Sequence, residues 1–245
     1  MSDKKYKFLS QPRRVVEDRR FVVGKGRYIA DYDHADMAHV ALLPCHLPAA
    51  TIDDIDTSAA LAMPGVIDVV TGAELAAAIG PLMNGLDTPN VRRYPLAVGQ
   101  VRYAGEWVCA VIAESRAVAE DAAEKIRLQT TALPFVLDSE QAFRADSPPV
   151  HQDHQSNVLL DKQFVWGPVD DDFAKADHQL SFSVVWGRKL RVPIENCGVV
   201  AEWNVWEQIL DIRASVQMPK YADPIARALG LADNQIRVHY VLVVV

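Results

Sequence analysis

YPLAVGQVRYAGEWVCAVIAESRAVAEDAAEKI, residues Tyr94–Ile126, is the stretch that decides the fold. Val101-Arg102-Tyr103 runs into a turn at Gly105-Glu106, and Trp107 to Ala113 is an apolar run of strand length. Ser115 then stands where a helix N-cap belongs, ahead of an alanine-rich amphipathic run. Working backwards, Met37 to Leu43 predicts a strand ended by Pro44, and Thr51 to Asp56 alternates as a strand does. Thr57 or Ser58 caps a short helix, Ala59 to Ala62, which Pro64-Gly65 stops. Val66 to Val70 predicts another strand, and Gly72-Ala73-Glu74 opens a helix over Leu75 to Ile79. Residues 80–100 are loop-like. Gln129 to Pro134 reads as the exit from this unit, which closes near residue 136. Short strands alternating with short helices make the fold class α/β (α+β).

Working outwards, residues 1–20 form a polar, basic arm suited to docking on something else, and Phe21 to Asp33 is turn-rich. Residues 137–158 are polar and broken by proline, as a linker is. A second unit spans 159–245. In it Asp170-Asp171-Asp172 lead into a helix over Phe173 to Ala176, where carboxylates suit the N-terminal end. Strands follow at Gln179 to Val185, Val199 to Asn204 and Gln208 to Ser215, then a helix from Tyr221 to Leu229 closed by Gly230, and a strand from Ile236 to Val245.

The composition excludes several classes. Half of the 245 residues are apolar, so a core is available, while a net charge of −7 argues against a nucleic-acid partner. The pairs Arg13-Arg14, Arg19-Arg20 and Arg92-Arg93 read as solvated. Cys45, Cys109 and Cys197 form no C-x-x-C, so this chain alone builds neither a zinc knuckle nor an iron–sulfur cluster, and a reducing compartment is expected. Cys109 alternates into the core, and a buried, inert thiol is expected at Cys197. The N-terminus has no apolar signal core, and no apolar run is long enough to span a bilayer, so the expected location is cytoplasmic, with no membrane partner. His151 and His154 read as a surface pair lacking further ligands, and no phosphate loop or nucleophile motif is present.

Four blocks, in order, carry a family resemblance. Residues 101–126 resemble the "VRYxGExVAxVxAExxxxAxDAAExI" block of the xanthine dehydrogenase and aldehyde oxidase family, in its large, molybdenum-binding subunit. Residues 17–28 (EDRRFVVGKGRY) resemble the N-terminal block of the bacterial, carbon monoxide dehydrogenase-like branch. IDTSAA with Pro64-Gly65-Val66, and Arg191 to Glu195 with Gly198 to Trp203, match two further blocks. The resemblance implies a hammerhead α/β domain over residues 21–136 and the first part of a molybdopterin-binding domain over 159–245.

By the same resemblance, Gln217 in Ser215-Val216-Gln217-Met218-Pro219 is the residue that reaches the molybdenum centre. A neutral amide suits that task, since it donates without adding charge. Glu195 is implied beneath the cofactor, orienting the groups around it, with a structural role satisfied by backbone amides as its simpler reading. Asn196-Cys197 departs from the Pro-Arg or Thr-Arg usual there.

The implied cofactor is molybdenum-molybdopterin, in its cytosine dinucleotide form, and the implied partners are an iron-sulfur small subunit and an FAD medium subunit. The implied reaction hydroxylates a small molecule at an N-heteroaromatic, aldehyde or similar carbon with oxygen from water. The family's glycine-rich loop is expected where His239 to Val245 stand, so a frameshift, a truncation or a natural split is expected, with the remaining cofactor-binding segments elsewhere. A non-catalytic scaffold or assembly subunit of such a complex is the alternative.

Overall fold

The computed structural model describes Phe8, Pro12, Val15 and residues 18–82, 91–154, 156–187, 189, 192–193, 195–218 and 220–240. Its elements are, in chain order, α1 (Asp18–Val22), a 3-10 turn (Ile29–Asp31), β1 (His39–Cys45), β2 (Ala50–Asp56), α2 (Ser58–Leu61), β3 (Val66–Thr71), α3 (Gly72–Ala78), β4 (Gln100–Val101), β5 (Glu106–Ala113), α4 (Arg116–Ala123), β6 (Arg127–Ala132), α5 (Ser139–Ala142), α6 (Val169–Lys175), β7 (Val199–Asn204), β8 (Ile209–Ala214), α7 (Ala222–Leu229), a 3-10 turn (Asp233–Gln235) and β9 (Ile236–Tyr240). The fold is mixed α and β in small sheets, as the sequence predicts. The chain divides into two compact units. One joins Met1–Asp33, Arg191–Pro219 and Arg237–Val245, and the other joins His34–Leu190 and Lys220–Ile236.

The larger unit is built on β5. This strand lies between β1 and β3 in an antiparallel sheet ordered β1-β5-β3. Val108 on one face of it and Cys109 and Val111 on the other are fully buried, and α4 packs across β1 and β5 with Ala119, Ala122 and Ala123 buried. Full burial of each valine is worth roughly 1.5–3 kcal/mol. Ser115 caps α4, its Oγ accepting from the Val118 N–H at 3.3 Å. Thr71 caps α3 in a reciprocal box, where the Glu74 carboxylate accepts from the Thr71 N–H at 2.8 Å. Gly72 is there for space, because a Cβ on it would lie 1.9 Å from the Ala97 carbonyl oxygen.

Several expectations change. β1 does not end at Pro44. It continues to Cys45 through a register shift between Leu43 and Pro44, which an edge strand tolerates because the missing N–H need not face a neighbour. Gln129 to Pro134 is the expected exit, yet residues 127–132 form β6 and pair along β2 in a second antiparallel sheet ordered β4-β2-β6. No strand forms over Gln179 to Val185. Leu180, Phe182 and Val184 alternate as a strand would, yet they are exposed, because no strand among the described residues pairs with them.

Residues 137–158 carry α5 and then fold back on themselves. The Asn157 Oδ1 accepts from the Val150 N–H at 2.8 Å, and its Nδ2 donates to the carbonyls of Ala142 (3.2 Å) and Pro148 (3.1 Å). The helix with three aspartates in its first turn begins at Val169, earlier than expected. α7 is closed by Gly230 in the left-handed conformation, and its Ala228 carbonyl accepts from the Gly80 N–H at 2.7 Å.

The smaller unit centres on β8, in a sheet ordered β7-β8-β9. β7 and β8 pair antiparallel from Val199↔Ala214 to Asn204↔Ile209. Asn204 Oδ1 holds the hairpin turn by accepting from the N–H groups of Trp206 and Glu207, both at 3.0 Å. Asp211 on β8 meets His239 Nε2 at 2.9 Å and Arg237 Nη1 at 3.4 Å on β9. The expected strand beyond Tyr240 and most of the N-terminal arm lie outside the described residues.

Candidate functional site

β8 buries Ile212 and Ala214 and then stops, and Ser215-Val216-Gln217 leave its end. Ser215 ties that end to the loop before β7. Its Oγ accepts from the Gly198 N–H at 2.9 Å and stands 3.3 Å from the carbonyls of Asn196 and Gly198, and its own N–H donates to the Gly198 carbonyl at 3.2 Å. Gln217 is exposed two residues further on, and among the described residues its amide has no hydrogen-bond partner. An uncommitted amide beyond a fixed strand end can donate to a ligand without first breaking a bond.

Glu195 is half-buried in the same loop. Its Oε1 accepts from the backbone N–H of Ile29 at 2.7 Å, and its Oε2 is buried with no partner among the described residues. Arg213, on β8, places its guanidinium 5.5 Å from the ring of Tyr32, with Arg27 over the same ring at 6.0 Å. Arg213 Nη1 is likewise buried without a partner among the described residues. The structure therefore brings Glu195, Ser215 and Gln217 onto neighbouring loops of one unit.

Two thiols divide. Cys109 is buried, and burial pushes its thiol up to about 11, so it is inert. Cys197 is exposed, contrary to the expectation of a buried thiol, because it lies with Asn196 in the loop before β7, where both side chains meet solvent. The histidine pair also differs from the expected surface placement. His151 is half-buried with Nδ1 enclosed and lacking a partner among the described residues, while His154 Nε2 meets the Val158 carbonyl at 3.3 Å. Burial, and then the charges of Arg102 and Arg93, hold His151 below the usual imidazole range.

No group of three or more His, Cys, Asp or Glu side chains among the described residues is placed to hold a metal ion. Gln217 leaves a free amide donor at the end of β8, and Glu195 keeps a spare buried oxygen in the loop before β7. Two concavities, of about 390 and 320 Å³, lie elsewhere, between Gln163 and Leu180, and are walled by exposed chain. Sequence reasoning missed Ile29 and Ser215. Ser215 had a signal, as a hydroxyl closing an apolar strand, but a backbone N–H such as that of Ile29 has none.

Residues 23–134 match the family model of the aldehyde oxidase and xanthine dehydrogenase a/b hammerhead domain, and residues 150–242 match that of the molybdopterin cofactor-binding domain. The chain is 34% identical to the nicotine 6-hydroxylase large subunit of Paenarthrobacter nicotinovorans, over 84% of its own length and 26% of that relative's. It superposes on quinoline 2-oxidoreductase from Pseudomonas putida 86 with a TM-score of 0.82 and 30% identity, covering 92% of this chain and 29% of that one. On a Cu,Mo-CO dehydrogenase the TM-score is 0.75 with 28% identity, covering 92% and 30% of the two chains. The chain thus spans less than a third of each of these relatives.

These matches define the class, a chain related to molybdenum-dependent oxidoreductases, with a hammerhead domain followed by the start of a molybdopterin cofactor-binding domain. The chain belongs to the aldehyde oxidase and xanthine dehydrogenase family. Among the described residues no helix is long and apolar enough to cross a membrane.

Proposed function

We propose that this chain forms part of a cytoplasmic molybdenum hydroxylase, and that Gln217 is its cofactor contact. The observation that carries the reading is the free Gln217 amide beyond β8, inside the segment that matches the molybdopterin cofactor-binding domain. When bound, the molybdenum cofactor, in its cytosine dinucleotide form, supplies the two-electron redox chemistry that hydroxylates a small molecule at an N-heteroaromatic, aldehyde or similar carbon with oxygen from water. Gln217 donates its amide N–H to the cofactor and holds it in one orientation, as a donor that stays neutral throughout. Glu195 acts through the backbone it holds. Electrons leave to an iron–sulfur small subunit and an FAD medium subunit, and the chain's hammerhead faces that assembly.

The reading is supported by the relatives. Two of them are named for nicotine and quinoline, which are N-heteroaromatic molecules, and this supports that substrate class. A second reading, a scaffold that gathers the partner subunits without touching a cofactor, is favoured by the run of exposed aromatics Phe164, Trp166, Phe182 and Trp186. The test is to isolate the assembled complex from its native host and to measure molybdenum and pterin per copy of this chain. The enzyme reading expects about one of each, with cytidine monophosphate released on acid hydrolysis. A complex that holds iron–sulfur and flavin but neither molybdenum nor pterin overturns it in favour of the scaffold.

A further inference from the structure

Ile29 and Glu195 are 166 residues apart in sequence, yet the Ile29 backbone N–H donates to Glu195 Oε1 at 2.7 Å. The approach is tight on the other side of the same loop. A Cβ at Gly198 would stand 2.3 Å from Ile29 Cγ2 and 3.3 Å from Ile29 Cβ. Isoleucine is branched at Cβ and stiff at χ1, so that methyl cannot swing aside, and a side chain at 198 would lift residues 28–32 off the loop. Tyr32 adds a third contact, its ring under the Arg213 guanidinium on β8. From its other end the loop is held by Ser215, through Gly198 and Asn196. The 195–198 loop is therefore gripped by a segment from the far end of the chain on one side, and on the other by the residue two before Gln217.

We propose that residues 28–32 are a brace for Gln217: the Ile29–Glu195 bond and the Ser215–Gly198 bonds fix the 195–198 loop, and through it the position of the Gln217 amide. Glu195 and Ser215 are then positioning residues, and their value to catalysis rests on the reading of Gln217 as the cofactor contact. The bonded oxygen of Glu195 carries the brace, while its second oxygen, buried and without a partner among the described residues, is left over. A neutral acceptor of the same shape is therefore sufficient, and the charge of Glu195 is not what the brace needs.

The test is amide hydrogen exchange on the full chain, with the amides of Val108–Val111 as an internal reference. Glu195→Ala is expected to speed exchange about tenfold at Ile29 and, in step with it, at Gly198 and Ser215, whose N–H groups are bonded across the loop, and to shift the NMR resonance of the Gln217 side-chain amide, leaving the reference unchanged. Glu195→Gln keeps an acceptor oxygen and is expected to restore all of these. Ser215→Ala is expected to speed Gly198 and to shift the Gln217 side-chain amide in the same way. Faster exchange at Ile29 with no change at Gly198, Ser215 and the Gln217 resonance overturns the brace, as does a Glu195→Gln chain that behaves like Glu195→Ala. Where Glu195→Ala unfolds the unit, Ile29→Ala serves instead, since it keeps the N–H bond but opens the space at Gly198. Faster exchange at Gly198 and Ser215 with a shifted Gln217 resonance then upholds the brace, and no change in them overturns it. None of these readings depends on molybdenum. A complex without the metal removes the proposed function and leaves the brace standing, and the reverse also holds.

Discussion

The hammerhead frame around β5 and the stretch at 160–187 draw on the same kinds of residue and do opposite things with them. In the first, Val108, Val111 and Cys109 have strands on both sides and α4 above, and they are shut away from water. In the second, Leu180 is 88% exposed and Trp186 79% exposed, although the alternation around them is as good as that of many strands. An apolar pattern becomes a strand when a neighbouring backbone takes up its N–H and C=O groups, and pattern alone supplies no neighbour. The frame is closed by its own residues, whereas the stretch has an apolar face and nothing among the described residues to lay against it.

The sharpest way to break this contrast is at Gly72. Gly72→Ala drives a Cβ into the Ala97 carbonyl, and a loss of about 3 kcal/mol is expected in urea unfolding followed at the hammerhead tryptophan, Trp107. An unchanged midpoint would mean that the frame yields locally and is less tightly closed than described. Next comes the cap of α3. Thr71→Ala should cost about 1 kcal/mol in the same assay, since it frees the Glu74 N–H at the helix start.

A smaller effect is expected from His151. Its folded-state pKa lies below the ordinary 6.5, so the unfolded chain binds the proton first. Its contribution is present in full above pH 6.5 and is lost as pH falls through the window beneath that value. The groups facing it are Arg102, Arg93, Asp153 and His154. His151→Gln should flatten the decline of stability as pH falls below 6.5, and an identical slope in both proteins would remove His151 from the account. The smallest effect belongs to the open stretch. Trp186→Ser should move the unfolding midpoint by less than about 0.5 kcal/mol, because the ring buries little. A larger loss would show that the stretch is packed after all.

How much of this could be read from the sequence follows the same division. β5, the Ser115 cap and α4 are legible because every cue is local: an apolar run, a turn glycine, a capping hydroxyl and alanines at helical spacing. β6 is not, since Arg127 to Ala132 is polar on the surface and becomes a strand only through its register with β2. The fold-back at 142–158 depends on one asparagine reaching three backbone groups, which composition cannot signal. At the site, the order of the four blocks points to Gln217 and Glu195, and β8 does end just before Gln217. Their connection through Ile29 was hidden, because it uses a backbone N–H and a glycine chosen for space.

The central proposal is that the exposed amide of Gln217 serves the cofactor. The most direct measurement is steady-state turnover of the native complex carrying Gln217→Ala, with molybdenum content measured on the same sample. The account predicts that kcat falls about 10²-fold while molybdenum per chain stays unchanged, the pattern of a lost donor at the reacting centre. Unchanged kcat at unchanged molybdenum would contradict it, and would leave Gln217 as a polar residue at the end of a strand.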